Sequence, residues 1–323
     1  MNFTRANIRT WSIIGSRATF GLTVVELAKE NENLMVLTAD VSTSAGLERL
    51  RHAYPQNYLD VGISEQDMIG IATGLSSEGY NVYTTTFAPF QTMRCCEQIR
   101  VNIGYMNTKI TMVGLASGIV LGTLGNTHCC FEDISIMRSI PNITVLSPAD
   151  CTETVKAVLA AYDCPGPVYL RLTGGANNPV VYKEDYDFQI GKAIELKEGS
   201  DVSIIATGTM VHPSLKAAEM LEADGISCSV VDMHTIKPLD QLAIDKACGC
   251  KLLVTVEEHS VIGGLGSAVS EYKTTLKNTP PQLTIGLPDA YGKAGEYPYL
   301  LDKYGLTAEK IAAGIKNKYK EVM

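Results

Sequence analysis

The chain has 323 residues, 46% of them hydrophobic and 19% charged, which suits about two domains, each with its own core. Its net charge of -8 and pI near 5.2 argue against a nucleic-acid surface, since phosphate backbones call for a basic face. No apolar run nears the ~18 residues that span a bilayer, and the opening "MNFTRANIRT" lacks an uninterrupted apolar stretch of the secretory kind, so a membrane role is not expected and the cytoplasm is the expected setting.

Short apolar runs alternate with helical patterns along the whole chain. Strands are expected near 34–39, 81–86, 109–115, 142–147 and 167–172, with another in "YLDVGI". Helices are expected near 16–30, 65–78, 90–104, 130–138 and 150–162. This alternation marks βα units around a doubly wound, mainly parallel sheet. The Gly-, Pro- and Asn-rich "GGANNPVVYKEDYDF" then interrupts the pattern, so a domain boundary is expected at about 175–192. That gives a first domain over 1–180 and a smaller α/β domain over 190–323, whose strands read as "VSIIATGT", "CSVVDMHT", "LLVTVEEH" and "LTIGLP".

Nine cysteines, an odd number in a long chain, form no disulfide framework of the small secreted type. The pairs Cys95–Cys96 and Cys129–Cys130, and Cys248 with Cys250, do not repeat at metal-site spacing, and no metal site is expected here.

Ligands of open α/β sheets collect at the carboxyl ends of strands. There the sequence places Asp40, Glu65, Thr86, Phe87 and the segment leading to His128. Ser64 and Asp67 look like a near capping box for a helix starting at Glu65 and closed by Gly79. Met68, Ile71, Ala72 and Leu75 form its expected buried stripe, and Gly70 and Gly74 would admit a close neighbour. Taken alone, Glu65 is equally an acid favoured by the helix macrodipole, Phe87 and Phe90 are equally core residues, Asp40 is a common turn former, and His128 is a loop histidine. His259 precedes a glycine turn and helix without the dinucleotide fingerprint, which favours a packing role. His52, His212 and His234 carry no motif.

Company decides between these readings. The run "VGISEQDMIGIATGLSSEGYNVYTTTFAPFQTMRCCEQIR", then "GNTHCCFEDISIMRSIPNITVLSPADCTETVKA" and "GPVYLRL", resembles the pyrimidine-binding domain of transketolases and their thiamine-diphosphate relatives. "DMHTIKPLD" and "VTVEEHSVIGGLGSAVSE" resemble the carboxy-terminal domain of that family, in order and over nearly the whole chain. The resemblance implies that Glu65 is catalytic, bonding a ring nitrogen of the cofactor's aminopyrimidine so that its exocyclic nitrogen can deprotonate the thiazolium carbon. A helix N-terminus favours a charged carboxylate whereas proton sharing favours the neutral acid, so burial in an apolar pocket must win. It further implies that Phe87 and Phe90 stack on the pyrimidine, that Asp40 and Val41 approach the thiazolium side, and that His128 faces the reacting end of the sugar. Arg17 and Ser44 match positions that hold a sugar phosphate.

Departures matter as much. Met93 stands where transketolases often carry another aromatic. Ala116 replaces an expected histidine, Leu124 an aspartate and Gly174 a phosphate-binding arginine. Losing charged hydrogen bonds worth about 1.5–3 kcal/mol each puts ordinary pentose phosphates in doubt and suggests a donor or acceptor that is branched, shorter, or ends in another anion such as a sulfonate. The "GDG" segment through which the family holds metal and diphosphate does not occur. The resemblance therefore implies a subunit equivalent to the second half of a transketolase. Its partner, an N-terminal-half subunit, would carry the diphosphate and a divalent metal (Mg or Ca), most simply in a dimer of heterodimers that moves a two-carbon ketol unit between sugars. A 2-oxo-acid dehydrogenase beta subunit, a deoxyxylulose-phosphate synthase-like enzyme and a non-catalytic subunit stay open as alternatives.

Overall fold

Apolar and β-branched runs become strands, and the computed structural model, which describes residues 1–323, arranges them in two sheets. The first half supplies β1 (Leu34–Thr38), β2 (Tyr58–Asp60), β3 (Asn81–Phe87), β4 (Ile110–Ser117), β5 (Thr144–Leu146) and β6 (Val168–Thr173). The second supplies β7 (Ile194–Lys197), β8 (Val202–Ala206), β9 (Cys228–Asp232), β10 (Thr235–Lys237), β11 (Leu252–Ser260) and β12 (Gln282–Leu287). The sheet orders are β10-β5-β6-β4-β3-β1-β2 and β12-β11-β8-β9-β7. Pairing is parallel except at two edges, β10 on β5 and β7 on β9.

Burial on both faces is what makes the central strands read as continuous apolar runs. All eight residues of β4 are buried. Helices Arg5–Glu30 and Cys151–Asp163 cover one face of the first sheet through Phe20, Val24, Tyr83, Val113 and Val158. Helices Glu65–Ser77 and Asp133–Ser139 cover the other through Met68, Ile69, Met112, Met137 and Tyr169. The second sheet is covered likewise, by Val211–Ala223 and Ala308–Val322 on one side and Gln241–Ala247 and Leu265–Lys273 on the other.

Several local expectations are corrected. The strand in "YLDVGI" shortens to Tyr58–Asp60, an edge strand with Leu59 and Asp60 exposed, because β2 pairs only with β1. The helix expected over 90–104 breaks into a turn at Ala88–Gln91, a short helix at Cys96–Gln98 and a π-type segment at Ile99–Tyr105. There the Thr92 hydroxyl donates to Ala88 O at 2.7 Å and the Cys95 thiol to Phe90 O at 3.2 Å, so side chains compete for the carbonyls that would propagate the helix. In Glu65–Ser77 the fully buried stripe is Met68, Ile69 and Ala72, with Ile71 and Leu75 only partly covered, and nothing lies within 4 Å of where a Cβ on Gly70 or Gly74 would stand.

The two sheets are tied together. β10 follows β9 of the second sheet, yet pairs antiparallel with β5, Thr235 opposite Leu146, at the edge of the first. Backbone N–H of Ser147 donates to His234 O at 2.8 Å just beside it.

Candidate functional site

Because β1 to β4 run parallel, the loops leaving their carboxyl ends share one rim of the sheet. Glu65 opens the helix after β2, Phe87 ends β3, Phe90 lies in the turn that follows, and His128 lies in the loop after β4. The capping box does not form. Ser64 holds the N-cap position, but its hydroxyl donates back to Val61 O at 2.7 Å, and Asp67 is exposed. Glu65 itself stands in the first turn of this helix. It is 5% exposed, and one partner reaches it: Arg94 Nη1 donates to its Oε1 at 2.7 Å.

That guanidinium also lies over the Phe90 ring, 3.9 Å from carbon Cζ to the centroid. Phe90 in turn meets His128 edge-on at 5.5 Å, and Phe87 meets both rings, at 6.4 Å to Phe90 and 6.3 Å to His128. Glu65, Phe87, Phe90 and His128, expected separately from the sequence, thus form one cluster. It presents a buried carboxylate beside aromatic faces, the pairing that a flat heterocycle with a ring nitrogen requires. The planar, N–H-bearing guanidinium now spanning carboxylate and ring shows that such a group fits. His128 is half-buried, its Nδ1 3.0 Å from the Thr127 hydroxyl.

The second half of the chain clamps the loop that carries His128. Ile119 N donates to Glu258 Oε1 at 2.8 Å, Gly295 N to Gly122 O at 3.0 Å, and Asn126 Nδ2 to Gly292 O at 2.7 Å. Within the loop Gly118 and Cys130 exchange backbone hydrogen bonds. Glu258 is fully buried and also accepts from Thr209 at 2.9 Å and Tyr297 at 2.6 Å. Burial raises its carboxyl above the usual range against those donors.

Of the other expected site residues, Asp40, Val41 and Ser44 follow β1 and Arg17 lies on the first helix. Asp40, exposed and with φ of 56°, donates its N–H to Asp60 Oδ1 at 3.0 Å, and Val41 packs on the same core face as Phe87. The loop holding Ser44 docks on the long first helix through Gly46, whose added Cβ would stand 3.1 Å from Arg17 O. Arg17 follows a kink at Gly15 (φ 84°); it is half-buried, burial lowers its pKa from the guanidinium norm, and its side chain makes no hydrogen bond or ion pair. No hydrogen bond or ion pair joins Arg17, Ser44 or Asp40 to the aromatic cluster. Of the positions expected to differ from the family, Ala116 takes φ of 51° at an irregularity in β4, Leu124 is exposed, and Gly174 takes φ of 87°.

Sequence reasoning missed a buried ionic core behind the site. Asp133, the first residue of the helix Asp133–Ser139, is fully buried and accepts from Arg171 Nε at 2.8 Å and Tyr169 OH at 2.7 Å, while Arg171 Nη2 donates to Glu258 O at 2.8 Å. A lone arginine inside "VYLRL" is the one signal that a charge enters the sheet. The glycine turn after His259 is not free for an anion either: Glu257 accepts from Leu265 N at 2.7 Å and Gly266 N at 2.8 Å, so the helix N-terminus holds its own carboxylate. His259 is fully buried, in agreement with a packing role. No group of three or more His, Cys, Asp or Glu is arranged to hold a metal ion.

Comparison with known proteins follows these two halves. Residues 13–178 match the profile described as transketolase, pyrimidine binding domain, and 191–311 match transketolase, C-terminal domain. A putative transketolase C-terminal section from Methanocaldococcus jannaschii is 39% identical over 309 residues, covering 95% of this chain and 97% of that protein. The 6-deoxy-6-sulfo-D-fructose transketolase subunit SqwH of Clostridium sp. (strain MSTE9) is 38% identical, covering 91% of each. An apulose-4-phosphate transketolase subunit from Phocaeicola vulgatus is 37% identical, covering 93% and 96%. Among solved structures, a split gene transketolase described as an inactive beta4 tetramer superposes with a TM-score of 0.88 at 38% identity, covering 95% of this chain and 99% of that one.

Proposed function

Since the chain belongs to the transketolase family and matches C-terminal sections of it at nearly full length, we propose that it is one subunit of a split-chain, thiamine-diphosphate-dependent transketolase. In this reading it transfers a two-carbon ketol unit from a ketose to an aldose. The observation that carries the reading is the cluster of Glu65, Phe87, Phe90 and His128 at the rim of the parallel sheet.

Bound thiamine diphosphate supplies a carbon nucleophile that takes up the ketol unit; the chain's own residues prepare and shield it. Phe90 and Phe87 offer the apolar faces on which the pyrimidine stacks. Glu65, buried at the helix start, holds a proton against the ring nitrogen. His128, edge-on to both rings, would donate to the sugar oxygen, and the clamp from Glu258, Gly292 and Gly295 holds its loop. Asp40 and Val41 approach from the neighbouring strand end. Arg17, a half-buried cation without a partner, and Ser44 would take the anionic end of the substrate.

The diphosphate and its divalent metal, Mg or Ca, are assigned to a partner chain equivalent to the N-terminal half, in a dimer of heterodimers. The relatives named for a sulfosugar and for apulose 4-phosphate support specificity away from ordinary pentose phosphates, as do Ala116, Leu124 and Gly174.

The test is turnover by the copurified two-chain complex, with Glu65→Gln as variant and this chain alone as control. Loss of about 10²–10⁴-fold in kcat with the complex intact, and no turnover by the lone chain, is the expected outcome. Wild-type rates in the variant, or turnover by the lone chain, would refute the reading.

A further inference from the structure

A single side chain, Arg94, spans the two groups that the proposed pocket offers to a heterocycle. Its Nη1 donates to the buried Glu65 carboxylate at 2.7 Å, and its planar head lies 3.9 Å over the Phe90 ring. A pyrimidine that stacks on the Phe90 face while hydrogen-bonding Glu65 must bridge the same carboxylate and the same ring. Guanidinium and pyrimidine are both flat, both carry N–H donors or ring nitrogens at their edges, and both stack on aromatic faces. They compete for one place.

We infer that Arg94 is the resident occupant of the pyrimidine subsite in the unloaded chain, a displaceable counter-ion that covers Phe90 and neutralises Glu65 until the cofactor arrives. The inference rests on the reading above. It adds that cofactor affinity is set partly by the work of expelling this chain's own arginine.

Three observations make the displacement feasible. The Arg94 side chain is 43% exposed although its partner is 5% exposed, so the guanidinium has an open route to water while Glu65 does not move. The residue lies in a stretch with little helical reinforcement, between the turn at Ala88–Gln91 and the short helix at Cys96–Gln98. The backbone of that stretch is held to the helix after β2 independently of the ion pair, because Gln66 Nε2 donates to Arg94 O at 3.0 Å. That tie survives when the side chain swings away, so the exchange requires rotamer changes and no refolding.

The experiment is calorimetric titration of the two-chain complex, stripped of cofactor, with thiamine diphosphate at fixed Mg²⁺. It compares wild type, Arg94→Gln, Arg94→Met, Glu65→Gln and the double variant Glu65→Gln/Arg94→Gln. Removal of the competitor is expected to tighten binding about fivefold to twentyfold in both Arg94 variants, in line with the loss of one ion pair and one cation–π contact. The gain should vanish on the Glu65→Gln background, because the counter-ion role needs the carboxylate. Equal or weaker binding by folded Arg94 variants, with Glu65→Gln still impaired, would overturn the inference and leave the pocket assignment standing. Full binding by Glu65→Gln would overturn the pocket assignment itself. Using both Gln and Met separates loss of charge from loss of stacking bulk, and an exposed side chain makes misfolding of both variants an answerable question by circular dichroism.

Discussion

At the residue scale, the least expected feature is the fully buried pair of Asp133 and Arg171. Asp133 Oδ2 receives both Arg171 Nε and Tyr169 OH, while Oδ1 has no hydrogen-bond partner. His259 Nε2 lies 4.0 Å from Oδ1. Burial raises the Tyr169 hydroxyl well above its usual range, so it stays a donor. A buried pair gives little net stability as long as it is whole, but breaking it strands a charge. Arg171→Met should accordingly cost about 3–5 kcal/mol in urea unfolding, whereas Asp133→Leu/Arg171→Met should recover much of that loss. A single variant within about 1 kcal/mol of wild type would show that the carboxylate is not truly desolvated. None of this is legible from "DISIM" and "VYLRL", because a helix-opening acid and a strand arginine lie 38 residues apart and only the parallel crossover brings them together.

At the element scale, the loops on the sheet rim limit what the pocket can be rebuilt to hold. Gly174 follows β6 with φ of 87°, and a Cβ there would stand 2.8 Å from Asn178 Nδ2. An arginine therefore cannot simply be restored at this position. Gly174→Arg in the complex is expected to lower stability by about 1–3 kcal/mol without improving KM for xylulose 5-phosphate in a panel of ketose donors. A stable variant with sharply improved KM would mean that the pocket still has the shape of a pentose-phosphate site. Strands and long helices were readable in sequence because burial on one or both faces imposes a period. β7 and β10 were not, since a three- or four-residue edge strand is defined by its partner rather than by its own pattern. Likewise, the aromatic-and-carboxylate cluster was readable from the motifs that carry it, while Arg94, lying in "MRCCEQ" with no period or motif of its own, became visible only through its contacts.

At the scale of the whole molecule, the junction between the two sheets is lined with acids that burial pushes upward. Glu153, on the helix after β5, and Asp232, at the end of β9, are both fully buried and neighbour one another. Tyr182 OH donates to Asp232 Oδ2 at 2.7 Å and Tyr186 OH to Glu153 Oε1 at 2.8 Å, with the two rings stacked at 4.0 Å. Ala149 N donates to Glu153 Oε2 at 2.7 Å, and Asp150, also raised by burial, takes the N–H groups of Val181 and Tyr182. Asp232 Oδ1 has no other partner, which one proton shared with Glu153 would satisfy. Burial raises Asp232 to about 7 and Glu153 well above its ordinary value. For acids whose folded-state pKa is raised, the folded chain binds the extra proton, so stability falls as pH rises from the unfolded pKa through the folded one. His234, stacked on Phe188 and lowered to about 4 by burial, acts in the opposite sense between about pH 4 and pH 6.5. Above that window only the acids remain. The melting temperature of the chain should therefore decline between about pH 6.5 and 8. Asp232→Asn places a permanent N–H donor where the shared proton stood and leaves an oxygen for Tyr182. It is expected to flatten that slope and to raise stability at about pH 8 by on the order of 1 kcal/mol, read from melting curves across the range. An unchanged slope would show that the two carboxyls do not share a proton.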